Sequence, residues 1–198
     1  MLDPSVRMEF RRRAITEAMA EICAERGYRA ASIAEVTARA ATSRGMVYSL
    51  YRNREDIFLD LLDRTAAELL SLVEGACAST EGGFRVRIEA ALGATLGLAA
   101  EKPAIFYTFL VAAPHATPTS LLRHQDAISD LAALLRTAVP NRGALSAQLE
   151  EITIGGLTAV LARRAREGRI EEAPALLADF VGLATAPYLP ARTGGDSG

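Results

Sequence analysis

Residues 42–56, TSRGMVYSLYRNRED, decide how this chain is read. Ser43 is a helix-capping type. Gly45, Met46, Tyr48, Ser49 and Tyr51 follow it within two turns, and Asn53 is a second cap with Arg54, Glu55 and Asp56 behind it. The spacing predicts a short helix from Ser43 to about Leu50 or Tyr51, then a long one from Asn53. Val47 and Tyr51 are four apart and share a face, so they are expected to pack inward with Ile22, Ile33 and Val36. Just upstream, SIAE at 32–35 is a capping box, with Ser32 as N-cap and Glu35 at the third helical position, for another short helix ending near Arg39. Two helices of two turns each bury little on their own. Such a pair usually serves to present one of them to something else.

The residues left on the outer faces say what that surface is. Gly45 removes bulk where another body must come close. Arg44 can fork onto a guanine edge, Met46 can touch a thymine methyl, and Tyr48, Ser49, Ser43 and Ser32 can reach phosphates. Arg54, beside Asn53 at a helix N-terminus, offers a cation and free N–H groups to a phosphate oxygen. The expected partner is double-stranded DNA. Two other readings stay open: a helical interaction protein without specific DNA binding, and a small helical enzyme. Two histidines (His115, His124) and one lysine (Lys102) are the whole supply of bases apart from carboxylates. No catalytic or metal-ligand motif stands out, so no catalytic residue, metal or cofactor is expected.

Working outward, nearly everything else reads as helix, and no stretch alternates with period two. Ile15, Met19, Ile22 and Cys23 recur at helical spacing over about 7–26, with Gly27 as a C-cap. The long helix from Asn53 to about Ala78 carries Ile57, Phe58, Leu61, Leu62, Leu69 and Leu72. STEGG at 79–83 is a soft break. Helices are then expected over about 85–100, from Pro103, from Thr117–Pro118 to near Pro140, and over about 144–167 and 173–186, the last ended by Pro187 and Pro190. The fold class is all-α: a helix-turn-helix head over 1–52, a helical body over 53–190, and a disordered tail over 191–198, where ARTGGDSG offers nothing to bury.

The net charge of −2 excludes a molecule that coats nucleic acid with its whole surface. Locally a basic face is possible, because residues 1–64 hold 11 arginines against 10 acids, three of them adjacent at Arg11, Arg12 and Arg13. Cys23 and Cys77 lie far apart in apolar, helix-like surroundings and read as thiols of a reducing cytoplasm. No charged-then-apolar leader opens the sequence, and AALGATLGLAA at 90–100 is too short to span a bilayer. A cytoplasmic protein is expected.

From Arg12 to Leu62 the sequence resembles the DNA-binding region of the TetR family of bacterial transcriptional regulators. The matching residues are Ile15 and Ala18, Gly27–Tyr28, Ser32–Ile33, and SRGMVYSLYRNREDIF at 43–58. EKPAIFYTFL at 101–110 and the helix count carry the likeness into the body. The resemblance implies a three-helix head on a larger helical body, a homodimer formed through the last two helices, and a small effector bound in the body. It implies a cavity whose lining would include Leu62, Leu92, Leu96, Phe106, Phe109, Leu122, Gln125 and Thr158. The dimer face would use Ile152, Gly156, Ala159 and Val160 with Leu177, Phe180 and Val181. The expected function is a repressor that binds a palindromic operator and is released by a mostly apolar effector. Four departures bear on the head: Ala41 where the family has glycine in the turn, Thr37, Thr42, and Leu50 in place of a histidine. Arg54 stands for the family's lysine.

Overall fold

The computed structural model describes residues 3–138 and 148–188. Helix α1 runs Pro4–Arg26, three residues earlier than its apolar spacing indicates, because the Asp3 side chain caps it by accepting from the Ser5 N–H at 2.8 Å. After a 3₁₀ turn, Tyr28–Ala30, come α2 (Ile33–Arg39) and α3 (Arg44–Leu50). Each starts on its expected serine: Ser32 Oγ accepts from Glu35 N at 3.2 Å and Ser43 Oγ from Met46 N at 3.1 Å. Asn53 likewise opens α4 (Arg54–Ser79) by accepting from Asp56 N at 2.9 Å.

Between α2 and α3 the backbone turns left-handed at Ala41, φ 47°, the one non-glycine residue among those described with positive φ. The turn closes as a Schellman motif. Ala41 N donates to Ala38 O at 3.2 Å and Thr42 N to Thr37 O at 3.1 Å. The chain therefore makes the glycine-type turn without the glycine.

The body begins with α4 and continues through α5 (Phe84–Glu101), α6 (Pro103–Tyr107) and α7 (Ala113–Ala116). It then runs through α8 (Pro118–Ala138), α9 (Leu149–Arg166) and α10 (Leu177–Thr185). Proline starts α6, and Thr117 starts α8 by exchanging hydrogen bonds with Ser120 at 3.0 and 3.1 Å. Two elements depart from the sequence expectation. A π-helical turn, Thr108–Ala112, joins α6 to α7, and Ile170–Leu176 is 3₁₀, so α-helical winding resumes only at Leu177. The final described turn, Ala186–Tyr188, holds Pro187. Pro140, Pro190 and the tail at 191–198 lie outside the described residues.

Ile15, Met19, Ile22, Cys23, Val36, Val47 and Tyr51 are buried, which fixes α3 against α1 and α2 as the spacing of Val47 and Tyr51 requires. The same core continues through Phe58, Leu61 and Leu62 of α4 to Leu96, Phe106, Phe109 and Leu161. Helices α4 and α1 both tie the first three helices to the rest of the molecule. Helix α1 also packs on α6 and the π turn, where buried Thr108 Oγ1 donates to the Ala20 carbonyl at 3.2 Å. Among the described residues no single helix is long and apolar enough to cross a membrane.

Candidate nucleic-acid interface and ligand cavity

Helix α3 is held from behind and bare in front. Val47 is wholly buried. Tyr51, just beyond the helix, donates its hydroxyl to Asp60 Oδ2 at 2.5 Å. Burial and the neighbouring Asp60 carboxylate both push the Tyr51 phenol well above its ordinary pKa, so it stays a neutral donor. In front, Ser43, Arg44, Gly45, Tyr48 and Ser49 are exposed, Tyr48 to 58%, and Met46 is half-buried. Arg44 makes no ion pair among the described residues. A Cβ built on Gly45 would meet only Ser43 Oγ, at 3.9 Å, so nothing among the described residues demands glycine there. The Ser49 hydroxyl is turned back onto the Met46 carbonyl at 2.7 Å, so its acceptor lone pairs are what remain outward. Ser32 is exposed at the start of α2.

Arg54 behaves differently from these. Its guanidinium lies over the Tyr28 ring, 4.7 Å from the centroid, and donates to the Arg29 carbonyl at 3.2 Å. It clasps the 3₁₀ turn to the start of α4. Such a cation–π pair with a hydrogen bond is a structural tie in its own right, which sequence spacing alone gives no reason to expect. The triple arginine is also less free than its sequence indicates. Arg12 reaches Asp60 at 3.9 Å and lies over the Tyr51 ring, and Arg13 pairs with Glu17 at 2.8 Å. Arg52, by contrast, projects at the C-terminal end of α3, tethered to Asp56 at 3.0 Å. Sequence reasoning misses it because a single arginine between Tyr51 and Asn53 carries no spacing signal.

In the body a cavity of about 100 Å³ lies among α4, α5, α8, α9 and α10. Leu92, Leu96 and Thr158 line it as expected, together with Val73, Ile88 and Leu135. Five expected residues do not. Leu62, Phe106 and Phe109 are spent in the core, Phe109 packing on the His124 ring with centroids 5.3 Å apart. Leu122 is 59% exposed, and Gln125 sits on a separate hollow between α8 and α9. The aromatic cluster of residues 106–110 misleads on this point because apolar spacing does not separate a cavity wall from solid core. Cys77 also faces the cavity, and burial raises its pKa; Cys23, fully buried, is pushed up to about 12. Both are free thiols. Among the described residues no group of three or more His, Cys, Asp or Glu side chains is placed to hold a metal ion.

On the outer side of α9 and α10, Ile152 is 69% exposed, Ala159 is exposed, and Gly156 and Val160 are half-buried. Phe180 and Val181 instead point inward and are buried, Phe180 onto the cavity, and Leu177 packs towards Gly93 of α5. These three do not belong to the outer face. Leu183, 51% exposed beside Gly156, takes their place. The correction has a simple source. Helix α10 is apolar on most of its circumference, so spacing alone does not tell its inner stripe from its outer one.

Residues 15–61 match the family model for bacterial regulatory proteins of the tetR family. Among solved structures, the chain is similar to FadR of Bacillus halodurans, a fatty acid degradation regulator, at 13% identity and a TM-score of 0.78 over 93% of this chain and 96% of that one. It is similar to FadR of Bacillus subtilis, solved in complex with stearoyl-CoA, at 14% identity and a TM-score of 0.77 over 88% and 98%. PfmR of Thermus thermophilus, a TetR family regulator, shares 20% identity at a TM-score of 0.63 over 84% and 93%. A search of curated proteins finds no sequence match.

Proposed function

We propose, from the match of residues 15–61 to the TetR family model, that the chain is a ligand-responsive transcriptional repressor. It binds a palindromic operator as a homodimer, with a head over residues 1–52 and a ligand-binding and dimerisation body over 53–190. The observation that carries this reading is the front of α3. Arg44, Gly45 and Tyr48 are exposed, Arg44 has no ion pair among the described residues, and Gly45 answers no internal crowding. A surface with a free forked cation, a bulk-free approach and a polar rim suits a major groove. Met46 would supply apolar contact; Ser32 and Ser43 would take phosphates, and Ser49 would do so only by turning its hydroxyl off the Met46 carbonyl. Arg54 holds its own turn first and can offer only its remaining N–H groups. Footprinting of a fragment carrying the protein's own promoter tests the proposal. A protected palindrome supports it, and no protection beyond that of unrelated DNA overturns it.

The effector is a mostly apolar small molecule. The cavity lining supports this, being Leu, Ile, Val, Ala and Phe with two threonines and Cys77. A long apolar chain is consistent with the stearoyl-CoA held by a protein of the same fold. At about 100 Å³ the cavity is well below the roughly 300–1,000 Å³ of ordinary ligand sites. A larger guest must push its helices apart, and Val73 and Cys77 put α4 among them. Entry of ligand and displacement of the head would then be one event.

A further inference from the structure

The apolar cavity has a polar neighbour. On the outer side of α9, Leu121, His124, Gln125, Ile128, Ser129 and Glu151 line an open hollow of about 470 Å³, and Thr158 lines both spaces. Thr158 of α9 is therefore shared by a greasy interior and a hydrogen-bonding vestibule. The Thr158 hydroxyl bonds back to the Ile154 and Gly155 carbonyls at 2.9 and 3.0 Å, so it lies along its own helix. His124 Nε2 is buried and meets no hydrogen-bond partner among the described residues, while its ring rests on Phe109. An unpartnered buried polar nitrogen is rare and asks for a reason. Burial alone lowers its pKa, which keeps the imidazole neutral near pH 7, with one nitrogen to donate and one to accept.

Charge defines what the vestibule can hold. Among the described residues no lysine or arginine lines either the cavity or the hollow, and the one charged side chain there is Glu151. Arg136 approaches Glu151 at 3.9 Å but lines neither space. A carboxylate or phosphate head would meet a like charge and no cation.

We propose that the effector is an amphiphile with an uncharged hydrogen-bonding head, such as an alcohol, whose apolar chain enters the cavity past Thr158 while Gln125, Ser129 and His124, its buried Nε2 uncovered as the chain enters, hold the head in the hollow. The proposal rests on the reading of the cavity as an effector site, and it sets this chain apart from the stearoyl-CoA-bound protein of the same fold. The test is displacement of the fluorescent apolar probe N-phenyl-1-naphthylamine from the full chain by 1-dodecanol, dodecylamine, dodecanoate and dodecanoyl-CoA. Dodecanol is expected to compete best, with dodecanoate and dodecanoyl-CoA at least tenfold weaker. His124→Phe, which keeps the ring on Phe109, should weaken dodecanol about three- to tenfold, the loss of one hydrogen bond. Glu151→Lys should bring dodecanoate to parity. Dodecanoate, dodecanoyl-CoA or dodecylamine matching dodecanol in the wild type, or His124→Phe leaving dodecanol unchanged, overturns the head-group assignment while the cavity stands. No binding of the probe or of any dodecyl compound removes the effector site itself.

Discussion

Arg44 and Arg54 illustrate how two identical side chains near one short helix take different roles. Arg44 starts α3, exposed and without an ion pair among the described residues, and is free to read a base edge. Arg44→Ala should flatten discrimination at one operator base pair by about 1–3 kcal/mol, with the melting temperature unmoved. Competition binding with single-base operator variants measures this, and an unaltered preference at every position would remove Arg44 from base reading. Arg54 spends its guanidinium on Tyr28 and the Arg29 carbonyl. Arg54→Ala should therefore lower stability by about 1–2 kcal/mol, the worth of one half-buried cation–π contact with a hydrogen bond. Urea unfolding decides it, and loss of DNA affinity with unchanged stability would return Arg54 to a purely phosphate-binding role. The caps Ser32, Ser43 and Asn53 are legible in the sequence because each satisfies N–H groups within its own turn. The Arg54 clasp is not, because its partners lie 25 residues away and packing alone brings them together.

Among the elements, the turn between α2 and α3 carries the sharpest local conflict. Its Schellman hydrogen bonds demand a left-handed residue at position 41, and alanine fills it. Left-handed alanine costs about 1–2 kcal/mol, partly offset by the roughly 0.5–1 kcal/mol that glycine loses through its freer unfolded chain. Ala41→Gly should thus leave the protein as stable or up to about 1.5 kcal/mol more stable, with operator affinity unchanged. Thermal melts check the first and gel shifts the second; a clear destabilisation would mean that the methyl group makes a contact worth more than the strain. Helix starts and the helix-turn-helix pair are readable because capping chemistry is local. The π turn at Thr108–Ala112 and the 3₁₀ segment at Ile170–Leu176 are not. The 3₁₀ segment holds Pro174, which has no N–H for α-helical bonding but stands close enough to the expected helix start to pass as a first-turn proline; in the π turn the choice between i+4 and i+5 bonding is left to neighbours such as the Ala20 carbonyl that receives Thr108.

Over the whole molecule two faces of the last helices divide the work. Their inner stripe, Phe180 and Val181, closes the body, and their outer stripe, Ile152, Gly156, Ala159 and Leu183, is open to a second copy. Gly156→Glu places a charge beside Leu183 on that stripe. It should give a folded monomer by sedimentation whose operator affinity falls at least tenfold, since two half-sites are no longer held at one spacing; a dimer of wild-type strength would move the interface elsewhere. In the proposed dimer little motion would be needed for release, because both heads must fit at once. Helix α4 runs from the Arg54 clasp to Val73 and Cys77 at the cavity, yet α1 is bonded to the body through Thr108 as well. A ligand that shifted α4 alone would shear it against α1, across the pairs of Arg64 with Glu9 and of Asp60 with Arg12. The head is therefore expected to swing with α1, α4 and α6 together. Thr158→Trp forces an indole into a space of about 100 Å³ and should mimic the ligand, lowering operator affinity about tenfold or more, within the usual range of coupling between sites. Ala91→Leu adds bulk that the existing space can take, so it should keep operator affinity within about threefold while blocking dodecanol, since a side chain that fills an existing void forces less strain than one inserted into a packed core. A folded Thr158→Trp dimer that binds operator like the wild type, beside an Ala91→Leu protein still released by dodecanol, would show that the cavity and the DNA face are not coupled.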